Sequence, residues 1–282
     1  MAATRTVAAM EQRTHALLDA AWHAGIRYVD AARSYGYAEA FLGSWLAVHP
    51  ERRAELVIGS KWGYEYVGAW RMDAPLHERK EHSSALFDRQ WPESLAALGT
   101  TPDVYLIHSV TPVSPALADA ALLDRLRALA ARGVRVGLST SGPQQGDVLD
   151  AARGIPDSPF RAVQATWNLW EPSAGPALAR AREAGWLVVV KEVLANGRLA
   201  EAGAETPVGR LAQRSGRSPG AFAIGAALAE PWADVVLSGA VTIAQLDAGL
   251  AATPCRVPDD ELRGLAMEPV RYWAERSARA WA

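Results

Sequence analysis

Short apolar runs alternate along this chain with longer segments in which apolar residues recur every three or four positions. The first case is a helical pattern over residues 7–24, which ends at Gly25 and is followed by an apolar run at 26–30. Recurrence every 3.6 residues is typical of amphipathic helices, and a continuous apolar run is typical of a parallel strand covered on both faces. The whole chain repeats this alternation, which predicts an α/β fold with a parallel sheet.

The same pattern sets the bounds of the predicted elements. Strands are predicted at 26–30, 56–61, 103–107, 134–138, 162–165, 186–190 and 235–237. Helices are predicted at 7–24, 38–48, 116–132, 146–153, 177–184, 208–214, 219–229 and 243–252, with one more ending at Gly99 and one running from Asp259 to the C-terminus. A long segment from Trp62 to about residue 82 separates the second strand from its helix. Segments of this length are usually lids or binding loops.

The α/β architecture is either an open doubly wound sheet or a closed barrel. No Gly-x-Gly-x-x-Gly sequence follows any predicted strand, as a dinucleotide-binding open sheet would require. We therefore expect a TIM-type (β/α)8 barrel, whose usual length of roughly 250 residues fits a single domain over residues 1–282. Seven strands are clear, so we expect the barrel to be incomplete, with its first strand missing or replaced by a makeshift strand at 3–7.

Composition and charge narrow the class of partner. The formal net charge of -2 and the pI near 6.3 provide no general attraction to nucleic acid or to an anionic membrane. No apolar stretch is long enough to span a bilayer. Cys255 is the single cysteine, so no intramolecular disulfide can form, and we expect a reducing, cytoplasmic location. We expect a small-molecule partner and no metal site, and the sequence does not indicate an oligomeric state.

Ionisable residues stand at the ends of three predicted strands. Asp30 ends the first strand and Lys61 the second, His108 follows the third, and Tyr35 comes five residues after Asp30. The carboxyl ends of barrel strands share one face, where the active sites of such barrels lie. A nearby cation lowers the pKa of a phenol, and a carboxylate keeps a partly buried lysine charged. With a histidine to donate a hydrogen bond to a substrate oxygen, these four residues form a candidate proton relay for carbonyl reduction.

Three motifs resemble those of the aldo-keto reductases, and the resemblance covers about residues 12–252. They are Asp30-x-Ala32-x-x-Tyr35-Gly36, Ser60-Lys61-Trp62-Gly63, and Ser94-Leu95-x-x-Leu98-Gly99 followed by Asp103-x-Tyr105-x-x-His108. The resemblance implies an NAD(P)H-dependent oxidoreductase that interconverts an aldehyde or ketone and an alcohol. In that role Tyr35 would be the general acid. Lys61 and Asp30 would tune it, and His108 would orient the carbonyl.

The resemblance also implies a set of cofactor-binding residues. They are Ser139, Gln164, Lys191, Leu194, Ser238, Gly239, Thr242 and Gln245. Ser139 and Gln164 would hold the nicotinamide carboxamide. Thr242-x-x-Gln245 has the form of a capping box, which opens a helix whose N-terminus would face a phosphate.

The chain departs from the family at two cofactor positions. Residues 190–194 lack the aromatic side chain that commonly stacks on the nicotinamide. Gln245 and Gly249 stand where many members have an Arg for the 2′-phosphate and an Asn for the adenine. NADP is favoured by the family, but a 2′-phosphate usually requires a cationic partner, so the choice between NAD and NADP stays open.

Aromatic residues are candidates for the substrate pocket. The chain has 11 Trp, of which Trp62 and Trp70 lie in the long segment and Trp167 lies in a second loop. These rings would form a wall around a bulky or sugar-like substrate, because they combine a flat apolar face with a polar tip. The alternative is ordinary core packing.

Two other functions fit the same residues. The first is a non-catalytic binding or regulatory protein on the same barrel, which would bind NADP(H) tightly and not turn it over. The second is a cofactor-independent isomerase or lyase, in which Tyr35 and Lys61 perform acid–base chemistry without a hydride. Titration with NADPH and NADH distinguishes these functions from a reductase.

Overall fold

The computed structural model describes residues 6–67 and 78–279. Its strands are β1 (Tyr28–Asp30), β2 (Val57–Trp62), β3 (Tyr64–Tyr66), β4 (Glu78–Lys80), β5 (Val104–Val110), β6 (Arg135–Thr140), β7 (Ala162–Thr166), β8 (Leu187–Lys191) and β9 (Val235–Val236). Its helices are α1 (Val7–His23), α2 (Ala38–Val48), α3 (Ser84–Leu98), α4 (Ala120–Ala131), α5 (Gln145–Arg153), α6 (Gly175–Glu183), α7 (Pro207–Arg214), α8 (Pro219–Leu228), α9 (Ile243–Leu250), α10 (Asp259–Leu265) and α11 (Pro269–Ser277). Two sheets are present in the described residues, one of seven strands in the order β1-β2-β5-β6-β7-β8-β9 and one formed by β3 and β4.

The chain forms two compact units. Unit 1 comprises Met1–Ser109, Val113–Leu138 and Asp157–Phe160, and unit 2 comprises Val110–Pro112, Ser139–Pro156 and Arg161–Ala282. The prediction that residues 1–282 form one domain stays a prediction.

Unit 1 places helices α1, α2 and α3 on strands β1 and β2. The apolar stripe of α2 provides Leu42, Trp45 and Leu46, which pack with Ile58 of β2 and Leu98 of α3 in one buried cluster. Strand β1 pairs in parallel with β2, and β2 pairs in parallel with β5. The three strands therefore end at the same edge, which is where Asp30, Lys61 and His108 stand.

A close approach of two helices explains one glycine of unit 1. A Cβ atom on Gly43 of α2 would lie 2.2 Å from the carbonyl oxygen of Ala97 on α3. Only a residue without a side chain allows this backbone contact. Gly43 thus lets α2 and α3 pack closely beside the strands.

Unit 2 contains β7, β8 and β9 in parallel pairing. The register runs from Ala162 opposite Leu187 to Thr166 opposite Lys191, and Val189 pairs with Val235. Val188, Val189 and Val190 are fully buried, as expected for a parallel strand covered on both faces. This register brings the carboxyl ends of β7 and β8 level with each other.

The long segment after β2 contains a hairpin that the apolar pattern does not predict. Strands β3 and β4 pair antiparallel, with Tyr64 opposite Lys80. The Glu81 amide donates a hydrogen bond to the Gly63 carbonyl at 2.9 Å, which closes the base of the hairpin. Trp70 and the rest of 68–77 lie outside the described residues.

Two predicted elements need correction. The makeshift strand at 3–7 is wrong for Val7, which begins α1 behind the N-cap Thr6, and residues 3–5 lie outside the described part of the chain. The helix predicted from Asp259 to the C-terminus is two helices, because α10 ends at Leu265 and α11 begins at Pro269. Proline starts a helix readily but cannot continue one, since it has no amide hydrogen to donate.

Candidate active site

Lys61 and Asp30 form a buried ion pair where β1 and β2 end. Asp30 pairs with Gly59, so Lys61 lies two residues further along β2. Lys61 is 1% exposed, and its Nζ donates to Asp30 Oδ2 at 2.5 Å and to the Ala31 carbonyl at 2.8 Å. Burial alone would lower the pKa of Lys61, but Asp30 and Tyr35 outweigh burial and raise that pKa above its ordinary value. Lys61 is therefore charged at neutral pH.

The Tyr35 ring lies beside this lysine. Lys61 Nζ is 4.8 Å from the centroid of the ring, so its charge acts directly on the phenol. The Tyr35 side chain is 46% exposed, although its charged neighbours Lys61 and Asp30 are only 1% and 12% exposed. Desolvation of the hydroxyl raises the pKa of Tyr35, and this outweighs the opposing effect of Lys61, with Asp30 adding to the rise. The lowered pKa expected from the sequence is thus wrong in sign.

His108 completes the group of four residues in unit 1. Its ring meets the Tyr35 ring edge to face, with centroids 5.5 Å apart, and meets the Tyr64 ring in the same way at 4.9 Å. Ser34 Oγ lies 3.5 Å from His108 Nδ1, a long and weak hydrogen bond. If Ser34 donates to Nδ1, the ring proton stands on Nε2, which is the form that donates to a substrate oxygen. The four residues predicted to form the relay therefore lie together, and Ser34 is a neighbour that the sequence did not indicate.

A buried carboxylate supports these strand ends. Glu39 of α2 is 1% exposed, and its Oε1 accepts hydrogen bonds from Ser60 Oγ at 2.6 Å and from Ser94 Oγ at 2.8 Å. Its Oε2 binds Arg33 Nη1 at 2.5 Å. Ser60 directly precedes Lys61, so Glu39 ties α2 to the strand that carries the lysine.

The spacing of residues on α2 indicates that Glu39 is buried, although Glu39 belongs to none of the motifs. Glu39 lies three residues before Leu42, which places the carboxylate on the buried face of α2. Ser94 also lies 3.1 Å from the Tyr105 hydroxyl, so the Ser94 and Tyr105 motif positions meet around this carboxylate. Ser94 and Tyr105 therefore stabilise the strand ends that carry the site.

The residues predicted to hold the nicotinamide lie in unit 2. Ser139 of β6 and Gln164 of β7 are 0% and 1% exposed, and Lys191 is the last residue of β8. A hydroxyl and a side-chain amide each donate and accept hydrogen bonds, as a carboxamide does. These buried polar groups fit the nicotinamide carboxamide chemically.

The predicted capping box at Thr242 is present in a modified form, because the Gln245 side chain bonds the amide before the N-cap residue and not that of the N-cap itself. Thr242 Oγ1 accepts from the Gln245 amide at 3.2 Å, and Gln245 Oε1 accepts from the Val241 amide at 2.9 Å. Ser238 Oγ accepts from the Ala240 amide at 3.3 Å, and Gly239 has a φ of 64°. The segment leading into α9 is thus a tight polar turn at a helix N-terminus, which is compatible with a phosphate.

Lys191 lies beside a carboxylate that the sequence analysis did not single out. Lys191 Nζ is 3.7 Å from Glu192 Oε1, and the same carboxylate accepts hydrogen bonds from Arg276 Nε at 3.0 Å. Burial pushes the pKa of Glu192 upward, but Lys191 and Arg276 outweigh it and hold the pKa below its ordinary value. Glu192 has a φ of 55°, and Leu194 follows it half-buried.

The two described tryptophans of the predicted substrate wall are enclosed. Trp62 is 0% exposed and meets the Phe87 ring edge to face at 5.1 Å. Trp167 is 2% exposed and meets Trp232 at 5.8 Å. This arrangement corresponds to the packing alternative, and Trp70 lies outside the described residues.

A cavity of about 250 Å³ adjoins the group of four residues in unit 1. Its lining includes Tyr64, which touches the His108 ring, and Gly36, which follows Tyr35. The remaining lining residues are Arg33, Glu65, Tyr66, Arg89, Gln90 and Glu93. Polar groups thus dominate the side of the site that the hairpin forms.

Comparison with protein families decides the class of this protein. The model of the Aldo/keto reductase family matches residues 3–266. The chain belongs to this family. No curated protein matches it as a relative.

Solved structures of aldo/keto reductases share its fold. An aldo-keto reductase from Bacillus halodurans in its holo form is 20% identical, with a TM-score of 0.72, and the match covers 92% of this chain and 89% of that one. The glycerol dehydrogenase of Gluconobacter oxydans is 20% identical, with a TM-score of 0.71 and coverage of 97% and 88%. An aldo/keto reductase from Klebsiella pneumoniae in complex with NADP and acetate is 21% identical, with a TM-score of 0.67 and coverage of 92% and 85%.

These comparisons confirm the fold class and the general activity. The fold is that of the TIM-type (β/α)8 barrels, incomplete in that the described residues provide seven parallel strands. This aldo/keto reductase is an NAD(P)-dependent oxidoreductase of carbonyl and alcohol groups in small molecules. No helix among the described residues is long and apolar enough to cross a membrane.

Proposed function

We propose that Tyr35 is the general acid with which this enzyme reduces an aldehyde or ketone to an alcohol. The observation that carries the proposal is the position of Lys61 Nζ, which donates to Asp30 Oδ2 at 2.5 Å and lies 4.8 Å from the centroid of the Tyr35 ring. A charged lysine beside a phenol at a strand end is not needed for packing. It can, however, stabilise the phenolate that forms when the phenol gives up its proton.

The chemistry follows from the charges of these groups. Because its pKa is raised, Tyr35 carries its proton at neutral pH and has one to give to the substrate oxygen. The phenolate that remains is stabilised by Lys61, which Asp30 keeps protonated. His108 donates from Nε2 to the same substrate oxygen and orients it, so negative charge that develops there meets two donors.

NADPH or NADH, when bound, would supply the hydride for carbonyl reduction, and the oxidised cofactor would accept it from an alcohol. Ser139 and Gln164 would hold its carboxamide, and Lys191 and Leu194 would lie along it. Ser238, Gly239, Thr242 and Gln245 would face its phosphates at the start of α9. The family favours NADP, yet the position for a 2′-phosphate cation is Gln245, so we propose that the enzyme accepts both cofactors and discriminates weakly between them.

The substrate would enter beside the hairpin. Tyr64 touches the His108 ring, and the adjoining cavity of about 250 Å³ is lined by tyrosine, arginine, glutamate and glutamine side chains. Such a lining favours a substrate with several hydroxyl groups over a purely apolar one.

Two measurements test the proposal. Fluorescence quenching with NADPH and with NADH should show binding of both cofactors with similar affinity. Tyr35→Phe should then reduce the rate of carbonyl reduction by about 100-fold or more while leaving cofactor affinity unchanged. Tyr37→Phe is the matched control, because Tyr37 lies in the same loop and stacks on Phe41 at 5.5 Å.

The other outcomes would contradict the proposal, and two of them identify an alternative function. If neither cofactor binds, the isomerase or lyase alternative replaces the reductase. If binding is tight and no carbonyl compound is reduced by the wild-type protein, the regulatory alternative replaces it. An unchanged rate in Tyr35→Phe removes Tyr35 from the role of acid.

A further inference from the structure

His82 is a buried histidine whose ring nitrogens both have partners. It is 4% exposed and lies two residues before α3. Its Nε2 is 2.8 Å from the carbonyl oxygen of His108, and its Nδ1 is 2.6 Å from Ser114 Oγ. A carbonyl oxygen only accepts hydrogen bonds, so Nε2 must carry the ring proton, and Nδ1 must accept from the Ser114 hydroxyl. Burial lowers the pKa of His82 to about 4, which agrees with a neutral ring in this tautomer.

The carbonyl that His82 binds lies at a strained point of the backbone. Ser109, the next residue, has a φ of 59°, a left-handed conformation that costs energy in any residue except glycine. The peptide between His108 and Ser109 therefore has a fixed orientation that its own sequence does not favour. The hydrogen bond from His82 holds the carbonyl oxygen of that peptide.

The same ring lies against the chain that follows Lys61. A Cβ atom on Gly63 would be 2.6 Å from His82 Cδ2 and 2.9 Å from Nε2, and Gly63 has a φ of 110°. Glycine is thus required here for two reasons, the backbone conformation and the space that the imidazole fills. One imidazole touches the backbone two residues after Lys61 and the carbonyl of His108.

We propose that His82 is a positioning residue, which fixes His108 relative to Lys61 and Tyr35. The proposal rests on the proposed function of these three residues, and His82 lies outside the three motifs quoted from the sequence. Ser114 is part of the same hydrogen-bond network, since its hydroxyl donates to His82 Nδ1 and also accepts from the Ala116 amide at 3.4 Å. The hydroxyl locks the tautomer that directs the Nε2 proton at the His108 carbonyl.

A set of substitutions tests the proposal by kinetics. His82→Asn removes the Nε2 donor and should lower kcat about tenfold with little change in KM, since substrate still binds but is oriented poorly. His82→Gln extends an amide donor toward the His108 carbonyl and should recover most of kcat. His15→Ala is the matched control, because His15 Nε2 also bonds a backbone carbonyl, that of Phe41 at 3.0 Å.

A double-mutant cycle separates positioning from general destabilisation. In a His108→Ala background the His82→Asn substitution should cost no further rate, because the side chain that it orients is gone, while its effect on the melting temperature should persist. A full additional loss of rate in that background would overturn the proposal. So would equal losses of kcat in His82→Asn and His15→Ala, or failure of His82→Gln to recover activity.

A spectroscopic measurement keeps the test independent of turnover. The His108 ring is flanked edge to face by Tyr35 and Tyr64, so its carbon-bound protons report on its orientation through aromatic ring currents. His82→Asn should shift or broaden the His108 ring signals in the wild-type background, and His15→Ala should leave them in place. An unshifted His108 signal would overturn the positioning role even if no reducible substrate is found, and a shifted one would support it even if the reductase function fails.

Discussion

The ammonium group of Lys61 lies 2.5 Å from the carboxylate of Asp30, and both groups are shielded from water. Loss of the carboxylate would leave a buried, unpaired cation. We expect Asp30→Asn to destabilise the protein by about 3 kcal/mol and to lower the pKa of Lys61. Both effects can be measured, the first by urea unfolding and the second by the pH dependence of carbonyl reduction.

The doubly substituted protein Asp30→Asn/Lys61→Met provides the control. Removal of both charges leaves no unpaired ion, so the double variant should be more stable than Asp30→Asn alone, although inactive. Additive losses of stability would show that the two charges do not interact.

The raised pKa of Tyr35 predicts opposite pH profiles for the two directions of reaction. Reduction needs the protonated phenol, which is present throughout the neutral range because the folded-state pKa lies above its ordinary value. Its rate should therefore stay level from about pH 7 to pH 9.5. Alcohol oxidation needs the phenolate, and its rate should rise about tenfold per pH unit over the same range.

In Tyr35→Phe the residual rate of alcohol oxidation should no longer rise with pH, because the group that titrates is gone. A reduction rate that falls with a midpoint near pH 8 in the wild type would mean that the pKa of Tyr35 is lowered in the working enzyme. In that case the electrostatic effect of Lys61 would exceed the desolvation of the hydroxyl.

His82 predicts a loss of stability in mild acid. The pKa of His82 is about 4 in the folded protein, whereas an unperturbed histidine has a pKa of 6.5, so near pH 5 the unfolded chain binds a proton that the folded chain does not. Stability is then present in full above pH 6.5 and is lost as the pH falls towards 4, by about 2 kcal/mol between pH 8 and pH 5. Urea unfolding at the two pH values measures it.

The matched comparison for this effect is His82→Gln, which keeps a donor but cannot titrate. Its stability should change less between the two pH values than that of the wild type, because all other titrating groups are the same in both proteins. Equal pH dependence in the two proteins would contradict the lowered pKa of His82.

Glu39 predicts a large effect on stability. Glu39→Gln keeps the size of the side chain but removes the charge that Arg33 pairs with in a buried position, so we expect it to cost about 2 to 3 kcal/mol. Glu93→Gln removes the other carboxylate partner of Arg33, 3.3 Å away, at a side chain that is 45% exposed. This control should change the stability by less than about 1 kcal/mol. Thermal unfolding of the two variants measures the difference, and equal shifts would show that the burial of Glu39 has no energetic consequence.

Local sequence features predict the elements whose ends have a clear chemical cause. The helix expected at 38–48 is observed as Ala38–Val48, and the helix expected at 7–24 is Val7–His23, followed by Gly25 with a φ of 84°. The hairpin at β3 and β4 could not be predicted, because each strand has three residues and their pairing joins segments far apart in the sequence. Pairing between distant short strands leaves no local pattern.

Motifs at strand ends predict which residues form the site, but they do not predict the energetics of the site. Asp30, Tyr35, Lys61 and His108 come together as expected, since parallel strands end at one edge. The sequence predicts a lowered pKa for Tyr35, but the pKa is raised, because the degree of desolvation depends on the whole surroundings of the hydroxyl. His82 was missed because neither the residue nor its partner Ser114 belongs to a motif, and its other partner is the backbone carbonyl of His108.

The hairpin between β2 and α3 is anchored to the site by contacts at its base. Its base is closed by the bond between the Glu81 amide and the Gly63 carbonyl, and His82 then secures the chain to His108. These two contacts do not involve the residues between Glu65 and Arg79, so they do not depend on the sequence of that segment. This makes the segment suitable for exchange between relatives, so that the range of accepted substrates could be altered while the proton chemistry of the strand ends is left intact.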